Sequence, residues 1–353
     1  MGLKPTRVDN WEATGELSLD HLRRLADKTH TAIGYLFLTE PPTELLPVAD
    51  FRTHAGEGRD HASPELLDTL YQCQTRQEWY RDYVRSQGED RLPFIGSARP
   101  DETATQLAQR IRVELGLSSV DRAKLGSWED ALSDLLRKVE RIGVLVMRNG
   151  VVGNNTRRKL DVSEFRGFAL SDDFAPLVFI NAADSTAAQM FTLAHELGHL
   201  WRGESGISDA NPETSIASER FSNRVAAEVL VPMAEFRARW QKDVDPELQA
   251  GQLARYFKVS ILTLLIRVRE ANVVDAALFR RLYHAESEKV RRRKGSGGDF
   301  YRTQKSRLGN RFAAAVVSSA FEGDTTYKEA YRLLGIRKAA TFDELARVLG
   351  VRA

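Results

Sequence analysis

The 353 residues contain a single cysteine, Cys73. No disulfide can close within the chain, and a cytoplasmic setting is expected. Apolar residues nowhere run for about 18 positions, and no charged-then-apolar leader opens the chain, so neither a membrane span nor a secretory signal is expected. Net charge is also scarce. Fifty-one Lys and Arg face forty-nine Asp and Glu, leaving +2. That balance removes the case for a nucleic-acid binder working through a global basic field. The length and apolar content suit two or three domains with real cores.

What the chain does have is FTLAHELGHLW at Phe191–Trp201. His195, Glu196 and His199 stand in the order H-E-x-x-H. On a helix, residues four apart are offset by about 40° and roughly 6 Å along the axis. Both imidazoles can therefore reach one ion at about 2.0–2.1 Å. Glu196 sits beside His195, placed to act as general base on a water rather than as a ligand. The bland alternative is the wet edge of an amphipathic helix. Phe191, Leu193, Ala194, Leu197, Leu200 and Trp201 argue against it, because buried His and Glu need partners and a metal supplies them. Gly198 costs a helix about 1 kcal/mol against Ala, which points to a packing or access reason.

Three carboxylates downstream compete for the third ligand position: Glu204, Glu213 and Glu219. The stretch to Pro212 reads as a loop, whereas Ile216, Phe221, Val225, Ala226, Val229 and Leu230 have helical period from about Thr214 to Pro232. Only Glu219 lies in that helix, with Asn223 one turn on as a partner that could orient a ligand.

FTL before AHELGH, followed by E-x-x-x-N-x-x-A-A-E-x-L-x-P at Glu219, Asn223, Ala226, Ala227, Glu228, Leu230 and Pro232, resembles the ImmA/IrrE family of bacterial metallopeptidases. The resemblance spans about residues 143–270. It implies a zincin-like (gluzincin) core: His195, His199 and Glu219 hold Zn2+ or another divalent metal, and Glu196 is the catalytic base. It also implies cleavage of a regulatory protein, a DNA-binding repressor or antitoxin, in a stress, mobile-element or toxin-antitoxin response.

The remainder is mostly helical, so the expected class is α+β with a small antiparallel sheet. Residues 1–45 resemble the second half of an Xre-type helix-turn-helix, with Lys4 to Glu12 as recognition helix and Lys4, Arg7 and Asn10 as DNA contacts. Gly15 closes that helix, and Ile33, Tyr35, Leu36 and Phe37 pack at the end of the next. The module's first helices are absent, so only weak operator binding is expected. Residues 46–141 form a helical connector, with helices over 64–87, 101–115 and 127–141. The aromatic cluster Trp79, Tyr80 and Tyr83 reads as core rather than a stacking platform. Residues 142–285 form the peptidase domain, with a strand at 143–147, a turn at Arg148-Asn149-Gly150, a polar stretch through Lys159, a hairpin of 165–170 and 177–181, and a cap at Asp184-Ser185. The segment 253–270 has a helix-turn-helix look but is expected to pack behind the peptidase helices. Residues 286–353 comprise a charged linker and a helical extension. An alternative function follows from the same features: an antitoxin or regulator binding DNA and a PIN-type toxin, with the peptidase fold as scaffold or sensor.

Overall fold

The computed structural model describes residues 11, 13–29, 31–40, 48–50, 62–208, 216–291 and 307–351. The expected recognition helix, with Lys4, Arg7 and Asn10, lies outside them except for Trp11. Gly15 donates its N–H to the Trp11 carbonyl at 2.8 Å with φ +67°, a left-handed helix stop. Helix α1 (Leu19–Thr29) follows. Ile33, Tyr35 and Phe37 do not pack as expected. They lie in a single 3-10 turn that buries no residue.

Strand β1 (Ala49–Asp50) precedes helices α2 (Pro64–Ser86), α3 (Ala104–Glu114), α4 (Ser119–Ala123) and α5 (Trp128–Arg141). Ser63, Thr103, Ser118 and Ser127 each cap the helix they precede with a side-chain oxygen; α4 is not among the helices expected, and α3 starts three residues later than expected. Next come β2 (Leu145–Asn149), β3 (Val151–Val152), β4 (Asn155–Lys159), β5 (Gly167–Leu170) and β6 (Leu177–Asn181). The first strand starts two residues later than expected. Gly143, at φ +102°, turns the chain out of α5, and Arg148 and Asn149 pair with Ile180 and Asn181 instead of turning. The stretch through Lys159 forms a two-stranded ribbon, β3 with β4.

Helix α6 (Thr186–Arg202), β7 (Gly206–Ser208), α7 (Ala217–Leu230), α8 (Met233–Arg239), α9 (Pro246–Phe257), α10 (Ile261–Glu270) and α11 (Ala276–Arg291) continue the chain. The main sheet has five strands in the order β1-β7-β5-β6-β2. Its centre is antiparallel, as expected, with Phe168 opposite Phe179 and Phe168 opposite Ile207. Its outer pairs, β1–β7 and β2–β6, are parallel, so the sheet is mixed. Parallel neighbours need a long crossover, which residues 150–176 provide between β2 and β6.

Side chains alternate across the sheet. Val146, Ala169, Val178 and Ile180 face one core with Leu193, Ala194 and Leu197 of α6. Leu145, Met147, Phe168, Leu170, Leu177 and Phe179 face a second core built from α2 and the extension helices α12 (Asn310–Glu322), α13 (Tyr327–Leu334) and α14 (Ala339–Leu349). Trp79 meets Phe312 edge-on at 5.8 Å, and Arg311 Nε donates to Tyr80 Oη at 2.7 Å, so the aromatic cluster is core. Phe257, Leu264, Leu265 and Val268 share the core of α6, which places the helix-turn-helix-like pair inside the packing. No helix among the described residues is long and apolar enough to cross a membrane.

Candidate metal centre

Helix α6 starts at Ser185, whose hydroxyl accepts from the Ala188 N–H, and stops at Gly203 with φ +71°. From Thr192 to Trp201 it is buried all round. The buried face of α7 lies across it, and this crossing brings Glu219 to the two histidines. His195 Nε2 and His199 Nε2 are 3.1 Å apart. Glu219 places Oε2 3.2 Å from the first and Oε1 2.9 Å from the second. Atoms about 2.0–2.1 Å from one centre have these separations when they subtend roughly 90–105° at it, as zinc ligands do.

The protons on the far side of the rings sharpen the point. His195 Nδ1 lies 3.0 Å from Asn223 Oδ1, and His199 Nδ1 lies 3.0 Å from Glu204 Oε2. Both partners are acceptors, so both Nδ1 atoms donate, and in a neutral ring Nε2 is then a bare lone pair. Three acceptors thus converge in a buried space, and Glu219 Oε2 has no hydrogen bond. Such a cluster demands positive charge. A proton on His199 answers the same demand: burial works against it, but Glu204 and Glu219 together raise the His199 pKa. Burial also favours a neutral Glu219, yet the two imidazoles hold its carboxyl down to about 2. His195, His199 and Glu219 fit a single Zn2+.

Glu196 is fully buried, and neither of its oxygens has a hydrogen bond. Burial pushes its carboxyl up to about 8, with His195 and the nearby Ser208 hydroxyl pulling it down and Glu219 pushing it further up. With no cation in the cluster Glu196 is therefore mostly protonated at neutral pH, and a positive charge held by His195, His199 and Glu219 would lower its pKa toward the ionised form that a general base needs. Strand β5 lies against it. A Cβ on Gly167 would stand 3.2 Å from Glu196 Oε1, 2.5 Å from Thr192 Cγ2 and 2.8 Å from the Phe179 carbonyl, so glycine is what lets strand and helix approach.

The structure brings together all five residues picked out in the sequence: His195, Glu196, His199, Glu219 and Asn223. Glu213 lies outside the described residues. Glu204 is not one of the three clustered ligand residues, in keeping with the choice of Glu219. It has a role not read in the sequence: it holds His199 while Ser218 Oγ and Arg202 Nη2 hold it, each at 2.8 Å. Its spacing of five beyond His199, just past the helix stop, was the available signal. Ser208, whose hydroxyl points to Glu219 Oε1 at 3.5 Å, was missed because β7 read as loop. Gly198 faces Ser222, where a Cβ would meet ordinary contacts at 3.4–3.5 Å, so the crossing does not require glycine. Arg166 is half-exposed beside Asp184 at 3.6 Å.

A buried H-E-x-x-H helix crossed by a second helix that contributes a glutamate is the centre of a zincin-type metallopeptidase domain. Residues 139–269 match the IrrE N-terminal-like domain family (Peptidase_M78), so the chain carries an ImmA/IrrE-type peptidase domain. Residues 308–348 match a domain of unknown function, DUF8813. Comparison with curated proteins finds no match.

Proposed function

We propose that this protein is a zinc-dependent endopeptidase that cleaves a regulatory protein, a DNA-binding repressor or antitoxin, in the cytoplasm. The observation that carries the chemistry is the convergence of His195, His199 and Glu219 beside the orphaned carboxylate of Glu196. Bound zinc would polarise the scissile carbonyl and lower the pKa of water to about 7. Glu196 takes the proton of the attacking water on a carboxylate oxygen and passes it to the departing amine nitrogen. Asn223 and Glu204 accept the Nδ1 protons, which keeps both Nε2 lone pairs aimed inward. The substrate class is supported by the family match over residues 139–269. The regulator reading has less behind it, since the faces of α9 and α10 that could have read DNA carry buried residues.

The test is co-expression with any repressor or antitoxin found encoded beside the gene, followed by intact-mass analysis of the partner. The expected result is one discrete cleavage with the native chain and none with Glu196→Gln, while elemental analysis finds about one zinc in both. Cleavage undiminished in Glu196→Gln would remove Glu196 from the mechanism. A metal-replete preparation without bound metal would end the peptidase reading.

A further inference from the structure

Away from the metal centre, charge is unevenly shared along the chain. Residues 286–353 hold fifteen Lys and Arg against eight Asp and Glu, and the rest of the chain is net acidic. This basic region meets the β3–β4 ribbon at Asn154, in the ribbon's turn. Asn154 Oδ1 accepts from Arg307 Nη1 at 2.8 Å, and its Nδ2 donates to the carbonyl of Gly335, which ends α13. Arg307 Nε has no hydrogen-bond partner. Arg157 and Lys159 on β4 are exposed, as are Arg337 and Lys338 just after Gly335. A chain advances at most about 3.6 Å per residue, so Arg157 stays within ~11 Å of Asn154 and Arg337 within ~7 Å of Gly335. Three segments far apart in sequence thus bring their cations to one corner of the fold.

Among the described residues, none of these five cations is paired with a carboxylate. Glu65 and Asp68 of α2 are engaged by Arg158, the one half-buried residue of β4, and Glu329 by Arg332. No large exposed apolar side chain lies on the ribbon, at Arg307 or over residues 335–340. That composition selects the partner. A protein interface centres on aromatic and apolar anchors, a membrane-bound face inserts apolar residues, and single strands stack on aromatic rings. A duplex backbone asks only for cations and polar groups, and the exposed Asn155 and Thr156 add the latter.

We propose that the ribbon and the adjoining extension form a binding surface for double-stranded DNA. The duplex is held through its phosphates, without reading sequence, by Arg157, Lys159, Arg307, Arg337 and Lys338. The extension and α2 cover the sheet face away from α6, so a bound duplex leaves the side of the metal centre free. DNA rather than duplex RNA is assigned because the proposed substrate is a DNA-binding protein, and that choice alone rests on the peptidase reading.

Anisotropy of a short labelled DNA duplex of arbitrary sequence, titrated with the zinc-loaded full chain, tests it. The expected result is saturable binding at about 50 mM salt that weakens about 150–500-fold at about 200 mM, as for four or five neutralised phosphates. The double variants Arg157→Gln/Lys159→Gln and Arg337→Gln/Lys338→Gln each weaken binding about tenfold or more and lower the salt slope by about two. Their circular dichroism and zinc content stay unchanged, because the substituted side chains are exposed. Undiminished binding in either double variant overturns the proposal. So does the loss of all binding in Arg292→Ser/Arg293→Ser/Lys294→Ser, which would place the contacts in the basic run before Arg307. No saturable binding up to about 100 µM protein overturns it as well. Labelled polyglutamate bound as tightly as the duplex overturns it in favour of an acidic protein, and duplex RNA bound more tightly overturns the assignment to DNA. Anisotropy needs no cleavage, so a failure here and a failure of the peptidase reading are separate results.

Discussion

His199 Nδ1 sits 3.0 Å from Oε2 of Glu204, a residue just past the glycine that ends the catalytic helix. The helix stop is thus part of the metal site. Gly203 turns the chain back in a left-handed conformation, and the next residue returns to hold the ligand three positions before the helix end. Asn223 does the same for His195 from the crossing helix. Each imidazole is oriented by a different piece of chain.

Metal affinity should therefore grade by role. His199→Ala and Glu219→Ala are expected to lose zinc. Asn223→Ala and Glu204→Ala should each weaken it about 10–100-fold, the usual cost of removing a partner that orients a ligand. Competition against a chromophoric chelator measures all four. Wild-type affinity in Glu204→Ala would show that the helix stop plays no part in holding His199.

Two glycines near the site should respond differently to alanine. At Gly167 the new methyl collides with the Phe179 carbonyl and Thr192, and strand backbone cannot easily yield. A loss of ~1–3 kcal/mol is expected, typical of overpacking. At Gly198 the methyl makes only ordinary contact with Ser222, and alanine gains up to about 1 kcal/mol of helix propensity. Urea denaturation of the two variants should separate them, and equal losses would contradict this account of the strand–helix contact.

Phe312→Ala tests whether the extension is structural. Its ring is fully buried against the sheet and α2, so a loss of ~3–5 kcal/mol is expected. The check is chemical denaturation with zinc content measured alongside, and a loss below ~1 kcal/mol would mean that α12 is not part of the core.

Cys73 gives a pH prediction. Burial pushes its thiol up to about 12 from 9.0, against the pull of Arg76. The unfolded thiol ionises first, so its contribution to stability is full below about pH 9 and is lost as pH rises toward about 12. The slope is at most ~1.4 kcal/mol per pH unit. A disulfide reagent at pH 8 should leave the native thiol untouched and label it only on unfolding. Rapid labelling of native protein would show that α2 opens readily.

Glu219 was legible for a local reason: its segment carries a helical period that those of Glu204 and Glu213 lack. The hairpin of β5 and β6 was legible from its two apolar runs. Ser208 was not, because three residues of strand, one of them Gly206, carry no pattern of their own and become β7 by pairing with β5 and β1. The parallel outer strands were hidden for the same reason. A pairing direction belongs to two distant segments, and neither shows it alone.

By itself, the sequence determined the chemistry at α6. Four-residue spacing on a helix puts His195 and His199 on one side, and the apolar residues around them commit that helix to the interior. Caps at Ser63, Thr103, Ser127 and Ser185 set the starts of α2, α3, α5 and α6 in the same local way. Tertiary structure alone decided that Glu204 supports His199, that Gly167 admits the strand to Glu196, and that the extension covers the second face of the sheet. These relations join residues through packing across the core, where shape and burial choose the partner and no local period records the choice.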